Sequence, residues 1–178
     1  MLLVVAATGR ELAPVESART VLCGIGPVEA AVATARALAE DRPSAVLHVG
    51  IAGARGLPPL TLVLGSESVY CDAAGPLVPA RAQPDAALLG RLRDAFPNAP
   101  LRPIGTSARV GGTHGVDVEA MEGFAVLRAC ELAGVPAVEV RVVSNEIDEP
   151  DRSLWRFDDA FAALAEALPR LVAVASAA

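Results

Sequence analysis

The segment VEAMEG, residues 118 to 123, carries two carboxylates three residues apart. The spacing of apolar residues predicts a helix that begins at Val118, with Glu119 and Glu122 as neighbours on its surface. Glu119 has an ordinary interpretation as a first-turn acid favoured by the helix dipole. Glu122 precedes the apolar run FAVLRACELA and is expected to face a protein-lined space, where an unpaired carboxylate is costly. Because an ionised carboxylate can accept two hydrogen bonds from a ribose diol, we expect a sugar as its partner.

A carboxamide and a further carboxylate stand where other apolar runs end. Asn145 and Ser144 close the run AVEVRVVS, and a carboxamide there can both donate to and accept from the edge of a 6-oxopurine. Asn is also a common turn residue, and the residues alone leave this alternative open. Glu11 comes four residues after the first apolar run and has an equally ordinary interpretation as a loop or helix-start acid.

The elements that must position these side chains alternate along the chain. Short runs rich in Val, Leu and Ile predict strands covered on both faces at 2–7, 20–24, 45–50, 60–65 and 137–144. Helices are predicted to begin near Pro27, Asp85, Val118 and Phe157. This alternation predicts an α/β fold, a single domain over residues 1–178 with a mixed, mainly parallel central sheet flanked by helices.

Charge and cysteine content narrow the class of function. With 21 acidic and 15 basic residues, the net charge of −6 disfavours binding to nucleic acid or to an anionic membrane, so a small molecule is the expected partner. Three cysteines without a C-x-x-C pair, and only two histidines, argue against a metal site.

The amino terminus lacks a signal-peptide pattern and no apolar run reaches the ~20 residues that span a bilayer, so we expect a cytoplasmic protein. High apolar content with few aromatic residues predicts a homo-oligomer that covers part of this surface.

Two glycine-rich turns follow predicted strands. CGIGPVEAA resembles a dinucleotide-binding loop only in part, because Glu29 occupies the third glycine position, and no nicotinamide cofactor is expected. In HVGIAGARG, Gly50, Gly53 and Gly56 would let the backbone approach a ligand closely. Glycines that only turn the chain are the alternative.

Five motifs follow one another in a distinctive order: VVAATGREL, CGIGPVEAAVATA, HVGIAGA, VEAMEGFAV and VRVVSNEIDEPDRSLW. In this order they resemble the nucleoside phosphorylase and nucleosidase superfamily nearly from end to end. The E-A-M-E-G spacing, the S-N pair and the later D-R-S-x-W resemble the futalosine hydrolases, which release hypoxanthine from futalosine in an alternative route to menaquinone. The resemblance implies a phosphorylase-like fold, hydrolysis of the N-ribosidic bond of a 6-oxopurine nucleoside, and no metal or organic cofactor.

The resemblance also implies roles for individual residues. Glu11 matches the catalytic carboxylate that helps to activate the attacking water, and Met121 with Glu122 matches the pair that holds the ribose. Asn145 matches the catalytic position that handles the purine, where nucleosidases for methylthioadenosine usually carry Asp. Because Asn cannot donate a full proton, it favours a 6-oxopurine leaving group.

The side of the site that faces the base departs from the family pattern. Only THGVD stands between TSARVGG and VEAMEG, where relatives have a longer connection that includes an aromatic residue beside the base. Thr106 and Ser107 match the strand whose backbone lies by the purine. Gly53 is expected in the wall of the site, and Phe124 or Trp155 is expected to replace the missing aromatic residue. The alternative for Phe124 is an ordinary core side chain.

Two other interpretations stay open. The first is a related enzyme, either a nucleosidase for methylthioadenosine and adenosylhomocysteine or a purine nucleoside phosphorylase. A phosphorylase needs an anion pocket, and the first loop AATGRELAP offers only Arg10 as a cation. The second is a non-catalytic nucleoside-binding protein, which would have little need of Glu11.

Overall fold

One mixed sheet forms the centre of the computed structural model, which describes residues 1–13, 15, 18–73 and 75–177. Its strands within these residues are β1 Leu2–Ala6, β2 Arg19–Leu22, β3 Ala45–Ala54, β4 Leu62–Tyr70, β5 Arg81–Ala82, β6 Leu101–Thr106, β7 Val118–Ala120 and β8 Ala137–Glu146. The helices are α1 Gly9–Leu12, α2 Pro27–Glu40, α3 Ala86–Ala95, α4 Gly123–Ala133 and α5 Phe157–Ser176, with a 3₁₀ turn at Arg152–Leu154. The predicted α/β fold is confirmed.

The pairing of the strands brings the site together. β1 pairs in parallel with β2 and β3, and β3 pairs in parallel with β8, so that the carboxyl ends of these strands lie at one edge. β8 also pairs with β4, and β7 pairs with both β3 and β6, which closes β3, β8, β4, β6 and β7 into a ring. Ligands in open α/β sheets commonly sit at the carboxyl ends of parallel strands.

The helix predicted from Val118 begins later than expected. Residues Val118–Ala120 form the strand β7, and α4 begins at Gly123 with Glu122 as its N-cap residue. A buried strand of three residues is too short to show a period of its own in the sequence, and β3 and β6 supply its hydrogen bonds. Glu119 and Glu122 therefore do not share a helix surface.

Helices cover the sheet on both faces. The amphipathic helix α5 buries Leu164, Leu168 and Leu171 against one face, in a core cluster that also contains Leu47 of β3 and Leu92 of α3. On the other face, α2 and α4 pack with the opposite side chains of β1 and β3. None of the described helices is long and apolar enough to cross a membrane.

Candidate active site

A cavity of about 280 Å³ lies at the carboxyl ends of β1, β3 and β8, in front of the start of α4. Charged and polar side chains converge on it from separate elements. Its walls include Thr8, Glu11, Ile25, Ile51, Gly53, Val110, Glu119, Met121, Glu122, Arg141, Ser144, Asn145, Trp155, Phe157 and Phe161. Six of the nine residues predicted for the site from the sequence line this cavity: Glu11, Gly53, Met121, Glu122, Asn145 and Trp155.

Glu11 lies on the short helix α1, and its buried side chain forms part of the cavity wall. Its Oε2 accepts hydrogen bonds from the backbone N–H and the hydroxyl of Thr8, both at 2.8 Å, and its Oε1 accepts from the backbone N–H of Ile51 at 3.2 Å. Gly50 makes room for this arrangement, because a Cβ there would lie 2.7 Å from Glu11 Oε1 and would overlap Arg141 Nη1. The carboxylate is therefore fixed in orientation and lies close to a guanidinium.

Arg141 is a buried cation in the cavity wall, and sequence reasoning missed it. It is 1% exposed and lies on β8, where its Nε donates to Glu139 Oε1 at 2.9 Å and its Nη2 lies 3.5 Å from Glu122 Oε2. A signal was present in the sequence: Glu139 and Arg141 stand two apart in a run predicted as a buried strand, so their side chains share one face of it. Opposite charges on one buried face indicate an ion pair.

Glu122 faces the cavity from the N-cap position of α4 and is 4% exposed. The carboxylate is not unpaired, since its Oε1 accepts from the backbone N–H of Gly26 at 3.1 Å and its Oε2 lies by Arg141. Burial raises the pKa of Glu122, and the nearby carboxylates of Glu11 and Glu139 raise it further. The guanidinium of Arg141 and the hydrogen bond from the Gly26 N–H lower this pKa. Met121 lies beside it in the cavity wall.

Asn145 and Ser144 come from a β-bulge at the end of β8. The pairing of β3 with β8 shifts between Ala52 and Gly53, so that two neighbouring residues of β8 both line the cavity. Asn145 Oδ1 accepts from Ser144 Oγ at 2.7 Å, and Asn145 Nδ2 donates to the carbonyl of Glu146 at 3.0 Å. The absence of a side chain at Gly53 accommodates Asn145, because a Cβ there would lie 3.0 Å from Nδ2.

An aromatic group closes the cavity on the side of α5. Trp155 lies edge-on to Phe157 with 5.5 Å between ring centroids, and its Nε1 donates to the carbonyl of Glu149 at 3.1 Å. Phe161, one turn further along α5, lies under the guanidinium of Arg10, 4.2 Å from the ring centroid. These rings provide flat apolar surfaces next to the polar groups of the strand ends.

Glu119 performs a different task from Glu122. Its carboxylate accepts from the backbone N–H of Gly111 at 2.6 Å, and from the N–H and hydroxyl of Thr113 at 3.0 and 2.8 Å. It thereby fixes the short loop after β6, whose Val110 reaches the cavity. The interpretation of Glu119 as a first-turn helix acid was wrong.

Thr106, Ser107 and Phe124 do not line the cavity. Thr106 Oγ1 accepts from the backbone N–H of Phe124 at 2.8 Å and so supports the start of α4, while Ser107 Oγ donates to Asp72 Oδ1 at 2.9 Å. Phe124 stacks on Tyr70 with centroids 5.1 Å apart. The structure thus places the side chains of all three behind the wall of the cavity.

A second, larger concavity lies between α2 and α4. It encloses about 740 Å³ and is lined almost entirely by apolar residues: Pro27, Val28, Ala31, Val32, Ala35, Leu38, Ala39, Tyr70, Phe124, Ala125, Ala129, Leu132 and Ala133, with Arg42 and Arg128. We call it the α2/α4 groove. It contains no carboxylate, and the described part of the chain has no group of three His, Cys, Asp or Glu residues arranged to hold a metal ion.

Residues 12–177 match the family model of the phosphorylase superfamily, and the chain belongs to this superfamily. Among curated proteins, it is 34% identical over 177 residues to the futalosine hydrolase of Thermus thermophilus, a match that covers 84% of this chain and 79% of that protein. It is 47% identical over 60 residues to the futalosine hydrolase of Streptomyces coelicolor, which is 34% of this chain and 26% of that relative. The predicted resemblance is confirmed.

The fold is shared with solved structures at lower sequence identity. A futalosine hydrolase mutant of Helicobacter pylori superposes with a TM-score of 0.86 at 16% identity, covering 97% of this chain and 98% of that one. At this sequence identity, the likeness shows the fold alone.

Proposed function

We propose that this protein hydrolyses the N-ribosidic bond of a 6-oxopurine nucleoside, with futalosine as the substrate that its relatives favour. The observation that carries the proposal is the convergence of Glu11, Arg141, Glu122 and Asn145 on one cavity. A carboxylate beside a cation, a carboxylate for a diol and a carboxamide for a base are the groups that such a reaction needs. The reaction would belong to menaquinone biosynthesis.

The sugar is the part of the substrate where charge develops. Breaking the bond between C1′ and the purine nitrogen builds positive charge at C1′ and O4′ and negative charge on the base. Glu122, with Met121 beside it, would accept hydrogen bonds from the ribose hydroxyls, and these bonds strengthen as the ring becomes positive. Because the site is buried, the interaction is stronger than it would be in water.

Glu11 and Arg141 would hold and activate the water. Both line the cavity, and both lie against Gly50. The water oxygen forms a bond to C1′ while the electrons of the C1′–N bond go to the purine, and the water's proton passes to Glu11. The purine takes up its proton from solvent and leaves.

Asn145 would contact the departing base. Its amide can donate to and accept from a 6-oxopurine, and Trp155 offers a ring face in the same cavity. The backbone of Thr106 and Ser107 would contribute from behind the wall, and Phe124 only through the position of α4. A carboxamide cannot supply a full proton to an adenine, which disfavours methylthioadenosine as the substrate.

The direct test is release of free base from three nucleosides, futalosine, inosine and methylthioadenosine, each with and without inorganic phosphate. We expect rapid hypoxanthine release from futalosine that phosphate does not change. Release that depends on phosphate would show that the reaction is phosphorolysis and not hydrolysis. A preference for methylthioadenosine would show that the leaving base is adenine and not a 6-oxopurine. Tight binding of nucleosides without release of base would indicate a binding protein.

The α2/α4 groove supports a proposal about assembly. Val28, Val32 and Leu132 on its walls are 72%, 64% and 72% exposed, which is unfavourable in water. Apart from Arg42 and Arg128 the groove is lined by apolar residues, so the surface that fits it is a largely apolar one, and a second copy of the chain presents such a surface. We infer a homo-oligomer joined through this groove.

Three buried, unbridged cysteines support a reducing, cytoplasmic location.

A further inference from the structure

The guanidinium of Arg141 is held from two sides that have no access to substrate. Its Nε donates to Glu139, whose side chain is fully buried, and its Nη2 lies 2.5 Å from Nε2 of the buried His48. Glu139 is itself fixed, because the hydroxyl of Ser68 donates to its other oxygen. Among the described residues, Nη1 of Arg141 has no hydrogen-bond partner, and it lies against Gly50 next to Glu11.

The proton on His48 can be assigned from its neighbours. Its Nδ1 lies 3.0 Å from the carbonyl of Val5, which can only accept, so Nδ1 carries the hydrogen. Nε2 is then the acceptor for Arg141. Complete burial and the adjacent charge of Arg141 lower the pKa of His48 well below its usual value, which is consistent with this neutral tautomer.

The first residue of α4 is shaped to admit Glu139. A Cβ at Gly123 would overlap the carboxylate of Glu139, so only glycine allows the helix to start this close to the strand. The glycine that follows Glu122 and the glutamate on β8 therefore form a matched pair. This fit connects the residue beside the ribose-holding carboxylate to the residue that holds the guanidinium.

We propose that Glu139 and His48 are positioning residues for catalysis: together they fix Arg141 so that its Nη1 points at the water between it and Glu11. This inference rests on the proposed hydrolase function. A guanidinium held only by Glu122 would be free to form a two-point pair with that carboxylate, which would take both groups away from the substrate. Two buried holding residues prevent this and leave one nitrogen for the reaction.

The test is a double-mutant cycle on base release from futalosine. Glu139→Gln preserves the shape but not the charge, and should lower kcat about 10-fold; Glu139→Ala should lower it about 100-fold, as expected for a displaced catalytic group. KM and the affinity for free hypoxanthine should change little. When Arg141 is already replaced by Gln, the same substitutions at Glu139 should lower kcat by less than about a further twofold, and so should His48→Asn. The reason is that the effects of coupled residues are not additive.

Two further variants separate positioning from folding. Gly123→Ala should reproduce the loss seen in Glu139→Gln, and it should have little added effect once Glu139 is alanine. Thr34→Val changes another fully buried polar side chain, on α2, and should leave kcat unchanged. Additive losses in the Arg141→Gln background would overturn the positioning role while leaving the hydrolase intact. An inactive wild-type protein would instead overturn the hydrolase, and the positioning role with it.

Discussion

The two concavities beside the start of α4 differ in almost every respect. Glu122 faces the cavity of about 280 Å³ at the strand ends, while Phe124, two residues later, faces the α2/α4 groove of about 740 Å³. The groove is the larger and more apolar of the two, which by size alone would make it the first candidate for a ligand site. Its composition suits another protein surface, whereas buried charges of both signs converge only on the smaller cavity.

Converging polar groups, and not volume, distinguish the candidate active site from the groove. Burying Glu11, Glu122 and Arg141 costs free energy of folding that a purely structural site would avoid. The groove has no such cost inside the protein, but it leaves apolar side chains in water. A change in one concavity should leave the properties of the other unaltered.

The largest effect is expected at Glu11. Glu11→Gln removes the proton acceptor while keeping the side-chain shape, so turnover should fall by about 10²- to 10⁴-fold, the usual contribution of a general base. Steady-state release of hypoxanthine measures this, and light scattering should show an unchanged mass because the groove is untouched. Unaltered turnover would remove Glu11 from the mechanism.

A smaller loss is expected in binding when Glu122 is truncated. Glu122→Ala should weaken ribose-containing ligands by about 1.5–3 kcal/mol, the value of hydrogen bonds to a charged group, and leave free hypoxanthine unaffected. Calorimetry with both ligands provides the comparison. Glu131→Ala, at an exposed position of α4, is the matched control. Equal weakening of the two ligands would defeat the assignment of Glu122 to the ribose.

The protonation of Glu122 should make ribose binding depend on pH. Because burial raises its pKa, the carboxyl takes up a proton at a higher pH than an exposed glutamate does, and the protonated form is a poorer acceptor for the diol. Ligand affinity should therefore fall as the pH decreases through this raised pKa, by at most about tenfold per unit. Glu122→Gln should abolish this part of the pH dependence, and a profile identical to that of the wild type would contradict it.

The same shift has the opposite sign for stability. In the free protein, the folded state holds the Glu122 proton more tightly than the unfolded state does, so its contribution to the free energy of unfolding is present below the unfolded pKa. That contribution is lost as the pH rises through the folded pKa. Denaturant titrations of the wild type and Glu122→Gln, compared across this interval, measure the difference.

The smallest effect on turnover is expected from the groove. Leu132→Asp places a charge in the proposed contact between copies, and the mass in solution should fall to that of a single chain. Turnover should change by about twofold or less, because Leu132 does not touch the cavity. Leu77→Asp is the control, since Leu77 is 94% exposed and lies outside the groove. An unchanged mass in both variants would exclude the groove as the interface.

The long elements of the fold were predictable because their residues carry the pattern themselves. β1, β3 and β8 are runs in which apolar residues dominate, and α2 and α5 are marked by Pro27 and by apolar spacing. The strands β5 and β7 have only two and three residues, which is too short to show a pattern, and Pro103 obscures the pattern of β6. These strands depend on hydrogen bonds from neighbours that are distant in sequence.

From the residues alone, the site was predictable only where a residue's type was unusual for its surroundings, whereas Glu11 and Met121 were predicted through the resemblance to the family. Glu122 and Asn145 stood out against apolar sequence, but the separation of Glu119 from Glu122 depended on a strand that the pattern concealed. Arg141 lies in a run that was interpreted only as a strand rich in Val and covered on both faces. Its contacts with Glu139 and His48 come from two strands that the fold brings together, and its proposed role depends on them.

The bulge at the end of β8 makes this edge of the protein unequally tolerant of change. Ser144 is the extra residue that lets Asn145 turn into the cavity beside Gly53. Substituting Ser144 would remove one hydroxyl and leave the backbone path in place. Deleting it would join Val143 directly to Asn145 and remove the bulge, so a single missing codon would alter the backbone that carries Asn145 as well as remove the hydroxyl.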